Sequence, residues 1–287
     1  LDFKNFKKNF SLKKNQLFWK IFKSDTDTPV SAYLKLSKIA KQKNSFLLES
    51  VQDGSYRGRY SVIGMQPDLI WKCVKNKAFL NKVFTKEGFK LQSEKPLKSL
   101  GKIIKNSKIN FPKYLPPMSS ALIGYLGYET VEQYEKLPDR KVNELNLPDG
   151  FFIRPTIMAI FDNLKNQLII TSPSWYEKNL DLNKEFNNKL KLIDSVKSAL
   201  NKPLNIKEKD LKKLKISPKS NINKNKFIEM VESAKEHIFN GDIFQVVISQ
   251  RFSAKFNQPP FELYRSLRGL NPSPFLFYLD FKDTDYG

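Results

Sequence analysis

Apolar positions recur along the chain with two different periods, and the period separates predicted strands from predicted helices. Short apolar or alternating runs bounded by turn residues predict strands at 46–51, 60–63, 120–128, 156–162 and 167–172. Two further runs, at 68–75 and 78–85, predict a hairpin that closes at 75–77. Much of the chain is therefore expected to form strands that pair with a neighbour in sequence.

Helical spacing of apolar residues appears between these strands and again near the end of the chain. It predicts helices at 31–41, 96–105, 180–200, 227–238 and 260–267. A long strand at 243–256 and a final strand at 275–281 complete the pattern. Because strands and helices mix without a regular βαβ rhythm, we predict an α+β fold with large mixed or antiparallel sheets and helices.

Composition divides the chain into four predicted parts. Residues 1–24 form a lysine-rich lead, and residues 25–200 form a first domain. Residues 201–222 are charged, contain proline and are poor in large apolar groups, so we predict a linker there. The pattern then restarts at residues 223–287, which we interpret as the incomplete start of a second domain.

The net charge of +21 raises the question of nucleic-acid binding. Lysine supplies most of this charge, since only seven of the 50 basic residues are arginine, and the lysines are spread over the whole chain. A nucleic-acid groove more often concentrates arginine and interleaves aromatic residues. We therefore predict a solvated basic surface and no nucleic-acid partner, and a basic nucleic-acid-binding protein remains the alternative from another class.

Two features that the sequence lacks bear on the location of the protein in the cell. No apolar run approaches the length of about 20 residues that crosses a bilayer, so we expect no membrane association. The single cysteine, Cys73, cannot form an internal disulfide, which favours a cytoplasmic location.

Residues 46–51, with the sequence FLLESV, contain two polar side chains inside an apolar strand. Alternation places Ser50 with Phe46 and Leu48 on one face and puts Glu49 on the other. Both faces are mostly apolar, so we expect a strand that is covered on two sides. Buried polar groups need partners, and these could be nearby backbone groups or a small polar ligand.

A second segment, 271–276, reads NPSPFL and is stiffened by two prolines. The apolar residues after the bend could form one rigid wall of a pocket for an amino acid with an aromatic side chain. Such a ligand also needs charged groups for its two ends, and Glu49 and Arg59 could supply them. No paired His/Cys metal spacing, phosphate-binding loop or nucleophile elbow appears, so we assign no catalytic and no metal-binding residue.

Five segments, in order along the chain, resemble the anthranilate synthase component I family. They are TPVSAY at 28–33, FLLESV at 46–51 with GRYSVIG at 58–64, GYLGYE at 124–129, GDIFQVVISQRF at 241–252 and NPSPFLFYLD at 271–280. The resemblance implies a two-domain component I fold whose C-terminal part is truncated here. It also implies that the catalytic residues lie downstream of Gly287.

The implied activity is the conversion of chorismate and ammonia to anthranilate and pyruvate in tryptophan biosynthesis. The resemblance further implies a glutamine amidotransferase subunit as the ammonia source, a hetero-oligomer, and Mg²⁺ that organises the substrate carboxylates. L-Tryptophan would be the feedback inhibitor. The matching tryptophan-binding positions are Glu49, Ser50, Pro274, Phe275 and Leu276, with Arg59 as a further candidate.

The chain departs from the family pattern beside the bend, where Phe275 and Leu276 stand in place of Tyr and Met. This substitution keeps an apolar wall and removes a hydroxyl and a thioether. The alternative within the superfamily is the large subunit of aminodeoxychorismate synthase. Its pattern has Asn-Leu where this chain has Val247 and Ile248, and Ala where this chain has Ser273, which favours anthranilate synthase.

The resemblance predicts that this chain carries a regulatory site without the catalytic site. We therefore expect the 287-residue chain to make no anthranilate from chorismate with either ammonia or glutamine. The measurement is anthranilate fluorescence against a control without protein, and a signal above that control would contradict the prediction.

Overall fold

The computed structural model describes residues 2–39, 44–52, 56–137, 143–204, 217–271 and 273–282. Its helices are α1 (Phe3–Ser11), α2 (Pro29–Ser37), α3 (Pro96–Asn106), α4 (Leu182–Leu200), α5 (Lys224–Phe239) and α6 (Pro260–Leu270). Its strands are β1 (Gln16–Lys23), β2 (Ser45–Gln52), β3 (Tyr56–Val74), β4 (Lys77–Lys82), β5 (Lys90–Leu91), β6 (Ile123–Leu126), β7 (Gly150–Asp162), β8 (Gln167–Ser174), β9 (Lys219–Ser220), β10 (Phe252–Ser253) and β11 (Phe275–Asp280).

Nine of these strands form one large sheet, in which every described pair is antiparallel. The main order is β1-β8-β7-β3-β2-β11, with β4 and β5 continuing from β3, and β6 pairing with β7. Helices accompany this sheet, so the predicted α+β class with a large antiparallel sheet is confirmed.

Strand β3, with 19 residues, holds this sheet together. One of its edges pairs with β7 along most of its length, from Tyr60 opposite Asp162 to Cys73 opposite Gly150. Its other edge pairs first with β2 and then with β4. The register shifts between Pro67 and Leu69, where the proline lacks the N–H that a regular ladder uses. The predicted hairpin is confirmed, since Val74 faces Lys77 at its closed end.

The apolar side chains of the sheet fill two clusters. The larger one contains Phe46, Val62, Phe151 and Met158, with Leu279 packed against it. The smaller one surrounds Trp71, whose ring is fully buried and whose Nε1 donates to Ser99 Oγ of α3 at 3.3 Å. Strand β2 therefore lies inside the first core, as its two apolar faces predicted.

The chain divides into two compact units, residues 1–204 with 264–287 and residues 205–263. The predicted boundary between residues 24 and 25 does not coincide with this division, because residues 2–23 belong to the first unit. The Phe6 ring is fully buried and lies 5.2 Å from Phe18 and 5.6 Å from Phe186, and β1 pairs with β8. The lysines of this segment are mostly exposed, whereas Phe6 and Phe18 are buried in the core.

The predicted second domain, 223–287, is also divided. Residues 264–282 belong to the first unit because β11 adds to the edge of β2. The predicted linker, 201–222, lies partly outside the described residues, at 205–216.

The predicted long strand at 243–256 is wrong for most of its length. Only β10 forms, and it pairs with β9, while residues 243–251 have no regular secondary structure. A strand needs a neighbour for its backbone hydrogen bonds, and β9 is the neighbour that the described residues of this unit supply. The helix before it is confirmed as α5, which ends before Gly241 at a φ of 78°.

None of the described helices combines the length and the apolar character that a bilayer crossing requires.

Two glycines allow a test of the β2–β3 packing with a matched control. A Cβ at Gly64 would overlap the ring of Phe46, whereas a Cβ at Gly101 in α3 meets no atom within 4 Å. Because Phe46 is fully buried, Gly64→Ala should lower the free energy of unfolding by about 1–3 kcal/mol. Gly101→Ala should leave it unchanged or raise it by up to about 1 kcal/mol, since alanine favours the helix. Urea unfolding of both variants measures this, and equal effects would contradict the packing described.

Candidate functional site

The register between β11 and β2 brings together residues that lie more than 200 positions apart in the sequence. Phe275 lies opposite Ser50, and Leu276 lies opposite Glu49. Four of the six sequence-predicted site residues therefore form two cross-strand pairs at one place in the sheet. Pro274 is the exposed residue directly before β11, so it lies at the same end of this strand pair.

One face of the pair presents an apolar surface. Directly opposed residues share a face, so Ser50 and Phe275 lie on the same side as Leu48 and Phe277. The side chain of Phe275 is 79% exposed, and Phe277 is also exposed. This face therefore presents two exposed aromatic side chains on the same side as the small side chain of Ser50.

Ser50 also has a structural role, because its hydroxyl donates to the carbonyl oxygen of Tyr60 at 3.1 Å. A Cβ at Gly58 would overlap the Ser50 side chain, so β3 approaches closely at this point. The register of β2 and β3 shifts between Glu49 and Val51, which places residues 58–60 opposite Ser50. Of the two kinds of partner considered from the sequence, the structure shows the backbone partner.

Glu49 lies on the opposite face of β2, and its carboxylate is buried. The hydroxyl of Tyr264 donates to Glu49 Oε2 at 2.6 Å. The guanidinium of Arg268 donates to both carboxylate oxygens, from Nε at 2.8 Å and from Nη2 at 3.1 Å. Both donors come from α6, so this helix supplies the charge and the hydrogen bonds that a buried carboxylate requires.

The Tyr264 hydroxyl is held in its protonated form. Burial raises the pKa of Tyr264 well above its ordinary value, and the hydrogen bond to Glu49 raises it further. Tyr264 therefore remains a donor to Glu49 at neutral pH. Its ring lies 5.9 Å from Tyr278 of β11, which in turn lies 5.7 Å from Tyr33 of α2, so an aromatic layer surrounds this face.

Arg59 lies in β3 at the same register shift, and its guanidinium is paired with a carboxylate of β7. Its guanidinium donates to Asp162 at 3.4 and 3.3 Å and stacks 4.8 Å from the ring centre of Tyr60. The hydrogen bond to Asp162 raises the pKa of Arg59. The Arg59 side chain is 47% exposed. It is thus accessible near Ser50 but is paired with β7 in this structure.

Sequence reasoning missed Tyr264 and Arg268. The two residues are four positions apart in α6, so they lie on one face of the helix, and this spacing is the signal that could have found them. Their partner on β2 could not be named without the tertiary structure. Pro272, the other proline of the predicted bend, lies outside the described residues.

With this geometry established, comparison with known proteins identifies the family. The family described as chorismate binding enzyme matches residues 43–286. The chain belongs to this chorismate binding enzyme family.

Similar proteins named anthranilate synthase component 1 come from several organisms. The chain is 36% identical to anthranilate synthase component 1 of Cereibacter sphaeroides over 282 residues, which are 97% of this chain and 56% of the relative. It is 34% identical to the same protein of Thermus thermophilus over 261 residues, 91% of this chain and 52% of the relative. The crystal structure of anthranilate synthase component I from Streptococcus pneumoniae superposes with a TM-score of 0.62 at 28% identity, covering 75% of this chain and 46% of that one.

The predicted resemblance to anthranilate synthase component I is therefore confirmed. The chain spans about half the length of the curated relatives it matches.

Removing the Tyr264 hydroxyl tests the buried cluster. Tyr264→Phe keeps the ring and leaves Glu49 Oε2 with one donor fewer, so the free energy of unfolding should fall by about 1–3 kcal/mol. Tyr128→Phe, at a side chain that is 80% exposed, is the control and should change it by less than about 0.5 kcal/mol. Denaturant unfolding measures both, and a Tyr264→Phe variant as stable as the control would contradict the role of this hydroxyl.

Proposed function

We propose that this chain is part of the large subunit of anthranilate synthase and that it carries a site for L-tryptophan. The proposal is supported by membership of the chorismate binding enzyme family and by relatives that carry the anthranilate synthase component 1 name. The observation that carries the site is the β2–β11 register, which brings Glu49, Ser50, Phe275 and Leu276 together.

The proposed reaction of the whole protein converts chorismate and ammonia to anthranilate and pyruvate in tryptophan biosynthesis. A glutamine amidotransferase subunit would release the ammonia, so the protein would work as a hetero-oligomer in the cytoplasm. The name component 1, which the relatives carry, supports a partner component. An assay of the whole protein with this partner distinguishes the two candidate products, and formation of aminodeoxychorismate in place of anthranilate would overturn the proposed reaction.

Mg²⁺ belongs to the proposed function of the whole protein, where it would act on the substrate carboxylates. The described part of the chain contains no group of three or more His, Cys, Asp or Glu side chains that could hold a metal ion. These residues thus do not fit an Mg²⁺ site, and no step of the reaction is assigned to them.

In the proposed regulatory site, the indole ring of tryptophan packs against the open apolar face formed by Phe275 and the residues beside it. Ser50 is small enough to leave room for the ring, and Pro274 stiffens the start of the wall. Arg59 would bind the carboxylate of the ligand. Glu49, the other charged residue predicted from the sequence, lies on the opposite face of β2, where Tyr264 and Arg268 bind its carboxylate, so its side chain does not face the ring. The exposure of Phe275 supports this arrangement, because an exposed aromatic side chain offers a large apolar contact to a ligand.

Enlarging Ser50 tests the proposed site. Ser50→Phe should weaken the binding of L-tryptophan by at least about tenfold, because the phenyl ring fills the ligand's space and the apolar contact is lost. Ser50→Ala removes only the hydrogen bond to Tyr60 and should bind with a Kd within about threefold of the wild-type value.

Isothermal titration of L-tryptophan into each variant measures these constants, and thermal unfolding confirms that each variant is folded. In the whole enzyme, Ser50→Phe should also abolish inhibition by tryptophan while most chorismate turnover remains. A folded Ser50→Phe variant that binds tryptophan normally would show that the site lies elsewhere.

A further inference from the structure

A cavity of about 540 Å³ lies between the turn after α1, the start of β1 and the segment that follows α3. Its volume falls within the range of about 300–1,000 Å³ that sites for small molecules occupy. The described residues that line it include none of the residues proposed for the tryptophan site. The cavity is therefore a separate feature of the first unit.

Three lysines determine the charge of this cavity. Lys13 and Lys14 belong to the turn after α1, and Lys108 belongs to the segment after α3. All three are exposed, and none of the described residues that line the cavity is acidic. Like charges that converge repel one another, and an anion that binds between them relieves this repulsion. The cavity is therefore suited to a negatively charged ligand.

The side chain of Asn15 ties the segments that carry these lysines to each other. Its Nδ2 donates to the carbonyl oxygens of Asn106 at 2.8 Å and of Lys108 at 3.2 Å, and its Oδ1 accepts from the backbone N–H of Tyr176 at 3.0 Å. The turn itself is tight, since Lys13 has a φ of 57°. The lysines thus converge because hydrogen bonds fix the backbone on both sides of the cavity.

An aromatic ring and two amide groups complete the cavity. Trp19 of β1 lies in its wall, packs against the core and lies 6.5 Å from the ring of Tyr114. An indole face offers a rigid surface on which a flat ring can stack. Asn9 and Asn110 also line the cavity, and each amide offers a hydrogen-bond donor and an acceptor. These side chains suit a flat heteroaromatic ring with polar groups at its edge.

We propose that this cavity binds a mononucleotide. The phosphate group lies among the ammonium groups of Lys13, Lys14 and Lys108, and the base packs against Trp19. A phosphate monoester carries a charge of about −1.5 to −2 at pH 7, which the three lysines balance. This site is additional to the proposed tryptophan site and does not depend on it.

Three related ligands separate the contribution of the base from that of the phosphate. AMP carries both groups, adenosine lacks the phosphate, and ribose 5-phosphate lacks the base. Titration of the 287-residue chain, followed by NMR, should give a Kd of about 1 mM or below for AMP and a Kd at least about tenfold higher for each of the other two.

The same NMR titration locates the ligand. AMP should shift the indole N–H resonance of Trp19, which a Trp19→Phe variant assigns. The resonance of Trp71, whose buried indole donates to Ser99, should stay unchanged.

Lysine variants with a matched control test the charge of the cavity. Lys14→Gln and Lys108→Gln should each raise the Kd for AMP by about three- to tenfold, because each removes one charged partner of the phosphate. Lys7→Gln removes the same charge from α1 outside the cavity and should leave the Kd within about twofold of the wild-type value. Thermal unfolding establishes that each variant is folded. If a variant is unfolded, the three ligands and the Trp19 resonance of the wild-type chain decide the question.

Preferential binding of AMP that shifts the Trp19 resonance and weakens in Lys14→Gln and Lys108→Gln supports the proposal. Equal binding of AMP and ribose 5-phosphate overturns it, because the base would then make no contact. An effect of Lys7→Gln as large as that of Lys14→Gln also overturns it, since the net charge alone would explain the binding. A wild-type chain that does not bind AMP overturns it as well, and the tryptophan site stays subject to its own test with Ser50→Phe.

Discussion

The buried carboxylate of Glu49 requires a positively charged partner, and helix α6 supplies it. The position of α6 depends on this ion pair. Burial of an unpaired carboxylate would cost far more than one ordinary contact contributes, so the carboxylate, Arg268 and Tyr264 have to stay together. The β11–β2 ladder then attaches the segment after α6 to the same strand. One ion pair and one backbone ladder thus hold residues 264–280 in place and create the candidate site.

The same requirement explains how arginine is used in a chain dominated by lysine. In the described part of the chain, three arginines contact buried carboxylates: Arg59 with Asp162, Arg154 with Asp68, and Arg268 with Glu49. The guanidinium suits this role because its planar fork binds both oxygens of a carboxylate, whereas an ammonium group acts as a point charge. The described lysines mostly lie at the surface and account for most of the net charge.

Local patterns predicted much of the fold correctly. The hairpin that closes between Val74 and Lys77, the pairing of β7 with β8, and the helix that ends before Gly241 all follow from neighbouring residues. The prediction failed at 243–251, where the apolar composition is typical of a strand. Strand propensity describes a side chain that fits a half-buried pleated surface, and it does not provide the neighbouring strand that such a surface needs.

The candidate site shows which features the sequence alone could predict and which it could not. Alternation in β2 by itself determined that Glu49 and Ser50 lie on opposite faces of a buried strand, because side chains alternate in any extended chain. Only the tertiary structure decided that Phe275 lies opposite Ser50 and that Arg268 neutralises Glu49. Contacts between residues more than 200 positions apart depend on how all the intervening strands pair, and no local period of the sequence contains that choice.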